Sequence, residues 1–195
     1  MMKIDAGYSV VELVFATGLC LTLGAVAVPQ TLAGLDEVRT EAAARYIAGR
    51  FQRARMEAVV QSTWVAVQFT QVGGRYGFTT YVDGNRNGVL TREIQRGIDR
   101  PIGAVERLSD QFTGVDFGAT PGLPAVDAGG TPPGSDPIRL GVGNLVSFSA
   151  NGTASSGSVY IRGRGAAQFV VRVSGETGKT RVLAFDARSR RWKAR

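Results

Sequence analysis

The residues of this chain that could carry chemistry fall in three places. The first is Glu12, the only charged residue between Tyr8 and Val28, a stretch that is otherwise almost wholly apolar. A carboxylate at the centre of a bilayer costs roughly 2.5 to 3.5 kcal/mol on insertion scales. Its retention suggests a partner; a carboxylate lying near the headgroups would instead be merely solvated. The second is Asp83-Gly84-Asn85-Arg86-Asn87-Gly88, where Asp83, Asn85 and Asn87 occupy the first, third and fifth positions of a calcium-loop pattern. That pattern wants a bidentate Glu at position twelve, and here Ile94 stands there with Glu93 one residue early. A plain Asx-rich turn explains the same residues without a metal. The third is the C-terminal run Lys179, Arg181, Arg188, Arg190, Arg191, Lys193 and Arg195 around Trp192. Cations that neutralise phosphates release counterions and an aromatic stacks on bases, so this composition suits DNA. It equally suits a solvated tail, or one that pairs with acidic neighbours.

Other chemistry is missing. The sequence has no histidine, and its one cysteine, Cys20, lies inside the apolar run. The usual general base and the commonest metal ligand are therefore absent, and neither a Cys nucleophile nor an intrachain disulfide is available. No G-x-S-x-G elbow and no phosphate loop occurs, and Gly163-Arg164-Gly165 reads as a turn. The expectation is a protein without enzymatic activity and without a cofactor. The net charge of +7 is almost entirely C-terminal, since from Lys179 onward seven basic residues face Asp186 alone.

The elements that position these residues begin with the apolar run, which at about 20 residues is long enough to span a bilayer. A secretory signal would place a small-residue cleavage site after the apolar core, whereas Ala6-Gly7 precedes it. An ordinary anchor accounts for the hydrophobicity but leaves Glu12 and the leader Met1–Gly7 without a purpose. Beyond Pro29 the pattern becomes amphipathic: Ile47, Phe51, Ala54 and Ala58 share one helical face. One helix from about Tyr8 to Gln61, roughly 80 Å long at 1.5 Å per residue, is expected, kinked at Pro29 where a backbone donor is lost.

After Ser62 the period changes to alternation. Val65, Val67 and Phe69, then Tyr76, Phe78, Thr80 and Val82 across Gly73-Gly74, predict a hairpin. A further strand is expected over Thr91–Ile98, a weak one over Val115–Phe117, and others over Leu145–Ser149, Val159–Arg162, Gln168–Val173 and Thr180–Phe185. Residues 99–137 read as the least regular part, with 118–137, rich in Gly and Pro, a surface loop.

Taken together, the short leader ending in Gly7, an aromatic Tyr8, Glu12 five residues into the mature chain and Pro29 at its twenty-second position resemble the class III leader of type IV pilins and pseudopilins. With D-x-N-x-N-G midway, Phe148–Thr153 before a strand and Ser174–Arg181 near the end, the chain is similar to the GspH/FimT-type minor pilin and pseudopilin family. The resemblance implies cleavage between Gly7 and Tyr8 by a prepilin peptidase and methylation of the new amine. Tyr8 stands where Phe is more usual. It further implies that Glu12 meets the N-terminal amine of a neighbouring subunit. For FimT-like members it implies DNA uptake through basic residues near a G-R-x-R-like motif, matched here by Gly178-Lys179-Thr180-Arg181, with Lys where Arg is more usual.

The expected fold class is therefore α+β. A leader (1–7), a transmembrane half-helix (8–28) and an amphipathic half-helix (29–62) precede an antiparallel β domain (63–195) that holds the 118–137 loop and the basic tail. Lys3 favours a cytoplasmic N-terminus, giving a single-pass inner-membrane protein with a periplasmic β domain. Its partners would be other pilins through the helix, the peptidase, the inner membrane and, in the alternative reading, DNA. The subunit would join or initiate a type II secretion pseudopilus or a type IV pilus.

Overall fold

The computed structural model of the chain describes residues 9–195, so Lys3, Gly7 and Tyr8 lie outside the described residues. In chain order the elements are α1 (Val10–Gln61), β1 (Val65–Val72), β2 (Arg75–Val82), α2 (Thr91–Gln95), β3 (Arg100–Glu106), α3 (Leu108–Gln111) and β4 (Asp116–Phe117). They continue with β5 (Ile138–Arg139), β6 (Leu145–Phe148), β7 (Gly157–Arg162), β8 (Gln168–Val173), β9 (Thr180–Asp186) and β10 (Arg191–Ala194). The architecture is α+β with antiparallel sheets. The chain forms two compact units, 1–35 and 36–195.

In the first unit the described chain is helix from Val10 onward, with Pro29 inside it, and it is long and apolar enough to cross a membrane. Its large side chains are exposed; Phe15 and Leu21 are each 74% exposed. Three hydroxyls within it are satisfied locally. The hydroxyls of Thr17, Thr22 and Thr31 donate to the carbonyls of Leu13, Leu19 and Ala27 one turn back, at 2.9, 2.8 and 2.9 Å.

The second unit is built on two sheets of strand order β3-β2-β1-β6 and β10-β9-β8-β7-β4, with β5 added to β7. The anticipated β1–β2 hairpin closes on Gly73-Gly74, both at positive φ (61° and 79°), the geometry a two-residue turn needs. The helical part of this unit buries Thr40, Ala43, Ala44, Ile47, Phe51, Ala54 and Ala58, so the four expected face residues are all in the core. Four alanines on that face allow close approach to the strands, while Phe51 fills the space between Phe69 and Phe148, with ring centroids 6.1 and 6.3 Å away. Val159, Ile161, Phe169, Val171 and Val173 join the same core from the second sheet. The edge strand β3 is fastened by Glu106, which accepts from the Tyr46 hydroxyl and pairs with Arg50.

Three expectations change. Thr91–Ile98 is not a strand: Leu90 O accepts from the N–H groups of Glu93 and Ile94 at 2.9 and 3.0 Å, winding α2 and turning the buried Glu93 toward the 83–88 loop. The strand comes later, as β3, inside a region expected to be irregular; it pairs Thr80 with Ile102 and Val82 with Arg100. The basic tail is strand β10, in register with β9 from Arg191↔Asp186 to Ala194↔Leu183. The 118–137 segment, irregular as expected, is packed down: Ala119 and Leu123 are buried with Tyr160 and Val170 on the side of the second sheet opposite α1. That explains why the middle of Q-F-V-V-R-V is apolar at consecutive positions, since Phe169 and Val171 face one core and Val170 the other.

Candidate functional site

Glu12 sits, exposed, in the first turn of the described part of α1. A carboxylate there suits the positive end of the helix dipole. The residues that the leader reading joins to it, Gly7 and Tyr8, lie outside the described residues.

The Asp83 loop is organised by its carboxylates accepting from amides. Asp83 Oδ1 accepts from the backbone N–H groups of Asn85 and Arg86 (2.9 and 2.8 Å), and Oδ2 from that of Gly88 (2.7 Å). The Asn85 and Asn87 side-chain amides both donate to Glu93, at 3.2 and 3.0 Å. Asp99 accepts from Gly84 N and Leu90 N (3.1 and 2.9 Å), closing the loop from the other side. Asp83, Glu93 and Asp99 are all buried. Each of their oxygens accepts from at least one N–H group, and among the described residues no group of three or more His, Cys, Asp or Glu side chains placed to hold a metal ion occurs. This is the geometry of an Asx-rich turn stapled by Glu93 and Asp99; neither staple was singled out from sequence as a partner of the asparagines.

The basic C-terminal residues do not form one surface. Alternation along β9 and β10 divides them between the two sides of the sheet. Arg181 stands opposite Arg172 in the β8–β9 register, on the side covered by the 118–137 loop, where Asp127 pairs with Arg172 at 2.6 Å and lies 4.0 Å from Arg181. Lys193 pairs with Asp186, and Arg195 reaches Glu37 on α1 at 2.6 Å. Asp186 is held far below the usual carboxylate range, first by Lys193 and then by the backbone N–H of Arg188. Lys179 is in the β8–β9 turn. Arg188 and Arg190 lie in the β9–β10 turn and Arg191 opens β10; all three are exposed, and none has a carboxylate within 4.0 Å among the described residues. Trp192 is not an open stacking platform: its indole N–H donates to Pro124 O at 3.0 Å and its ring packs on Tyr160 and Phe185. Burial raises the Tyr160 hydroxyl above its ordinary pKa, against the lowering pull of Arg139 and Arg172.

Two of the turn motifs noted in the sequence converge on one helical side chain. Arg55 donates from Nε to Gly152 O at 2.9 Å, and a Cβ at Gly178 would stand 2.8 Å from the same Nε. Gly178 is at φ 61°, so both backbone and space exclude a side chain there. An open cleft of about 360 Å³ lies beside the β7–β8 turn, lined by Asp116, Thr120, Arg162 and Arg164 among others. Compared with protein-family models, curated proteins and solved structures, the chain finds no match.

Proposed function

We propose that this chain is a minor pilin or pseudopilin, a structural subunit whose apolar half-helix is held first by lipid and then by neighbouring subunits. The observation that carries this reading is the division of labour within α1. Its first part exposes Val10, Phe15, Leu21 and other large apolar residues with Glu12 as the one charge, while its second part buries an alanine-rich face in a β core. An exposed apolar surface of that extent marks contact with a membrane or a partner. In this reading Glu12 is the contact that sets register between subunits, and the leader is removed after Gly7. Co-expression with a prepilin peptidase followed by intact-mass measurement is the test. Loss of residues 1–7 with methylation of Tyr8 is the expected result, and an uncleaved chain would refute it.

A second reading, DNA binding as in FimT-like members, draws on the exposed Arg188, Arg190 and Arg191. It is narrower than the sequence alone suggests, because Arg181, Lys193 and Arg195 stand beside carboxylates. Detergent-solubilised full chain should then retain duplex DNA in a salt-sensitive manner that is lost on changing all three arginines to Gln. Absence of retention in the unmodified chain would eliminate this role.

A further inference from the structure

We propose that the end of the second unit that carries Asp36 and Glu37 binds the anionic headgroups of the bilayer that α1 enters, an inference that rests on the membrane-anchored reading above. Two segments distant in sequence are drawn to this first turn of the unit. The β7–β8 turn is fixed to it because Asp36 accepts from the backbone N–H groups of Arg164 and Gly165, each at 2.9 Å. A Cβ at Gly163 would stand 2.6 Å from Asp36 Oδ2, so the approach depends on glycine. The C-terminal edge strand is fixed to it by Arg195, whose Nη2 donates to Glu37 Oε1 at 2.6 Å.

The result is a collection of cations around one place in the fold. Arg39 follows on the same helical turn, Arg164 is carried in by the hairpin, and Arg195 by β10, with Lys193 and Arg191 at alternate positions behind it on the same side of that strand. The carboxylates present are already engaged: Asp36 by amides, Glu37 by Arg195, and Asp186 by Lys193. Arg39, Arg164 and Arg191 are exposed without a carboxylate within 4.0 Å among the described residues.

Connectivity selects the ligand. Asp36 follows Pro29 by seven residues, a helical rise of about 10 Å, comparable with the Debye length of about 8 to 10 Å at physiological salt. While α1 is held by lipid this end of the unit is thus tethered near headgroups, whereas a soluble polyanion must be captured by diffusion. Each cation near an anionic surface favours it by about fivefold, so several unpaired ones give a marked preference for anionic over zwitterionic lipid.

The test uses the full chain with Cys20→Ser and a spin label on Ala166→Cys, an exposed site in the β7–β8 turn two residues from Arg164. It is reconstituted into vesicles of phosphatidylcholine alone or of phosphatidylcholine and phosphatidylglycerol at about 7:3. Flotation of the chain with both vesicles after carbonate washing reports the span. Accessibility of the label to a water-soluble relaxant reports the headgroup contact. It should fall at least about threefold with phosphatidylglycerol, recover in about 0.5 M NaCl, where screening is short-ranged, and stay high for Arg39→Gln/Arg164→Gln/Arg191→Gln at an unchanged thermal midpoint. Salt recovery in the unsubstituted chain keeps the test valid should that triple variant unfold. Flotation with both vesicles but equal accessibility overturns the headgroup contact and leaves the anchor standing. Failure to float overturns the anchor and the contact with it. Accessibility that ignores phosphatidylglycerol but falls with added duplex DNA assigns the surface to nucleic acid and overturns the lipid proposal.

Discussion

Truncation of Phe51 probes the junction between the helix and the β domain most directly. The side chain is fully buried, sits edge-on to Phe69 at 6.1 Å and is tilted against Phe148 at 6.3 Å. Phe→Ala in a core costs about 3 to 5 kcal/mol, part from lost transfer energy and part from the cavity. Here the alanines at 43, 44, 54 and 58 hold backbone close to the strands, so collapse into the cavity is restricted and the upper half of the range applies. A domain of this size loses about 2 to 4 °C in Tm per kcal/mol, so Phe51→Ala should lower the near-UV circular dichroism midpoint of the detergent-solubilised chain by about 10 °C or more. Two comparisons make the assay discriminating. Ile47→Val, also fully buried, should cost only about 0.5 to 1.5 kcal/mol. Val60→Ala, at a residue 77% exposed on the same helix, should fall within about 0.5 kcal/mol of the parent. A Phe51→Ala midpoint within 2 °C of Val60→Ala would refute the packing of this part of α1 in the core.

Three further outcomes follow from the site geometry. Gly178→Ala forces a Cβ against Arg55 at a positive φ, so a loss of about 1 to 3 kcal/mol is expected, and an unchanged urea midpoint would show that the turn accommodates it. Asp127→Asn removes the charge facing Arg172 and Arg181 and should raise the salt needed to elute the chain from heparin; earlier elution would contradict the placement of the loop. Because Asp186 titrates far below the unfolded value of about 3.9, its contribution to the β9–β10 hairpin is complete above that pH. It is lost only as pH falls below about 4 toward the folded value. Carboxyl-carbon NMR should therefore show Asp186 still ionised at pH 3, and Lys193→Met should move its midpoint upward; a parent midpoint near 3.9 would refute the pairing.

Much of the architecture was legible because it rests on periodicity. The 3.6-residue spacing of Ile47, Phe51, Ala54 and Ala58 and the alternation of Val65, Val67 and Phe69 report which side is buried whatever the partner is. The β1–β2 hairpin and β8 appear where expected. Thr91–Ile98 misled because the helix within it, α2, is five residues long and too short for its period to speak, and Glu93 on it reaches Asn85 and Asn87. The basic tail misled differently. A run of cations looks like one patch in a line of text, but Arg181 on β9 stands on the opposite side of the sheet from Arg191, Lys193 and Arg195, and Asp127, Asp186 and Glu37 sit beside Arg181, Lys193 and Arg195.

What the sequence determined by itself was therefore local and one-dimensional: an apolar segment of bilayer length with a single carboxylate, a change from helical to alternating period after Ser62, and turns where Gly and Asn allow positive φ. What only the tertiary structure decided was which charges are neutralised and which remain open. Asp127 faces Arg172, Glu37 faces Arg195 and Asp36 holds the turn of Arg164, across separations of 45, 158 and 128 residues. Those pairings depend on distances in space, which fall off in effect within about 10 Å, and no periodicity along the chain encodes them.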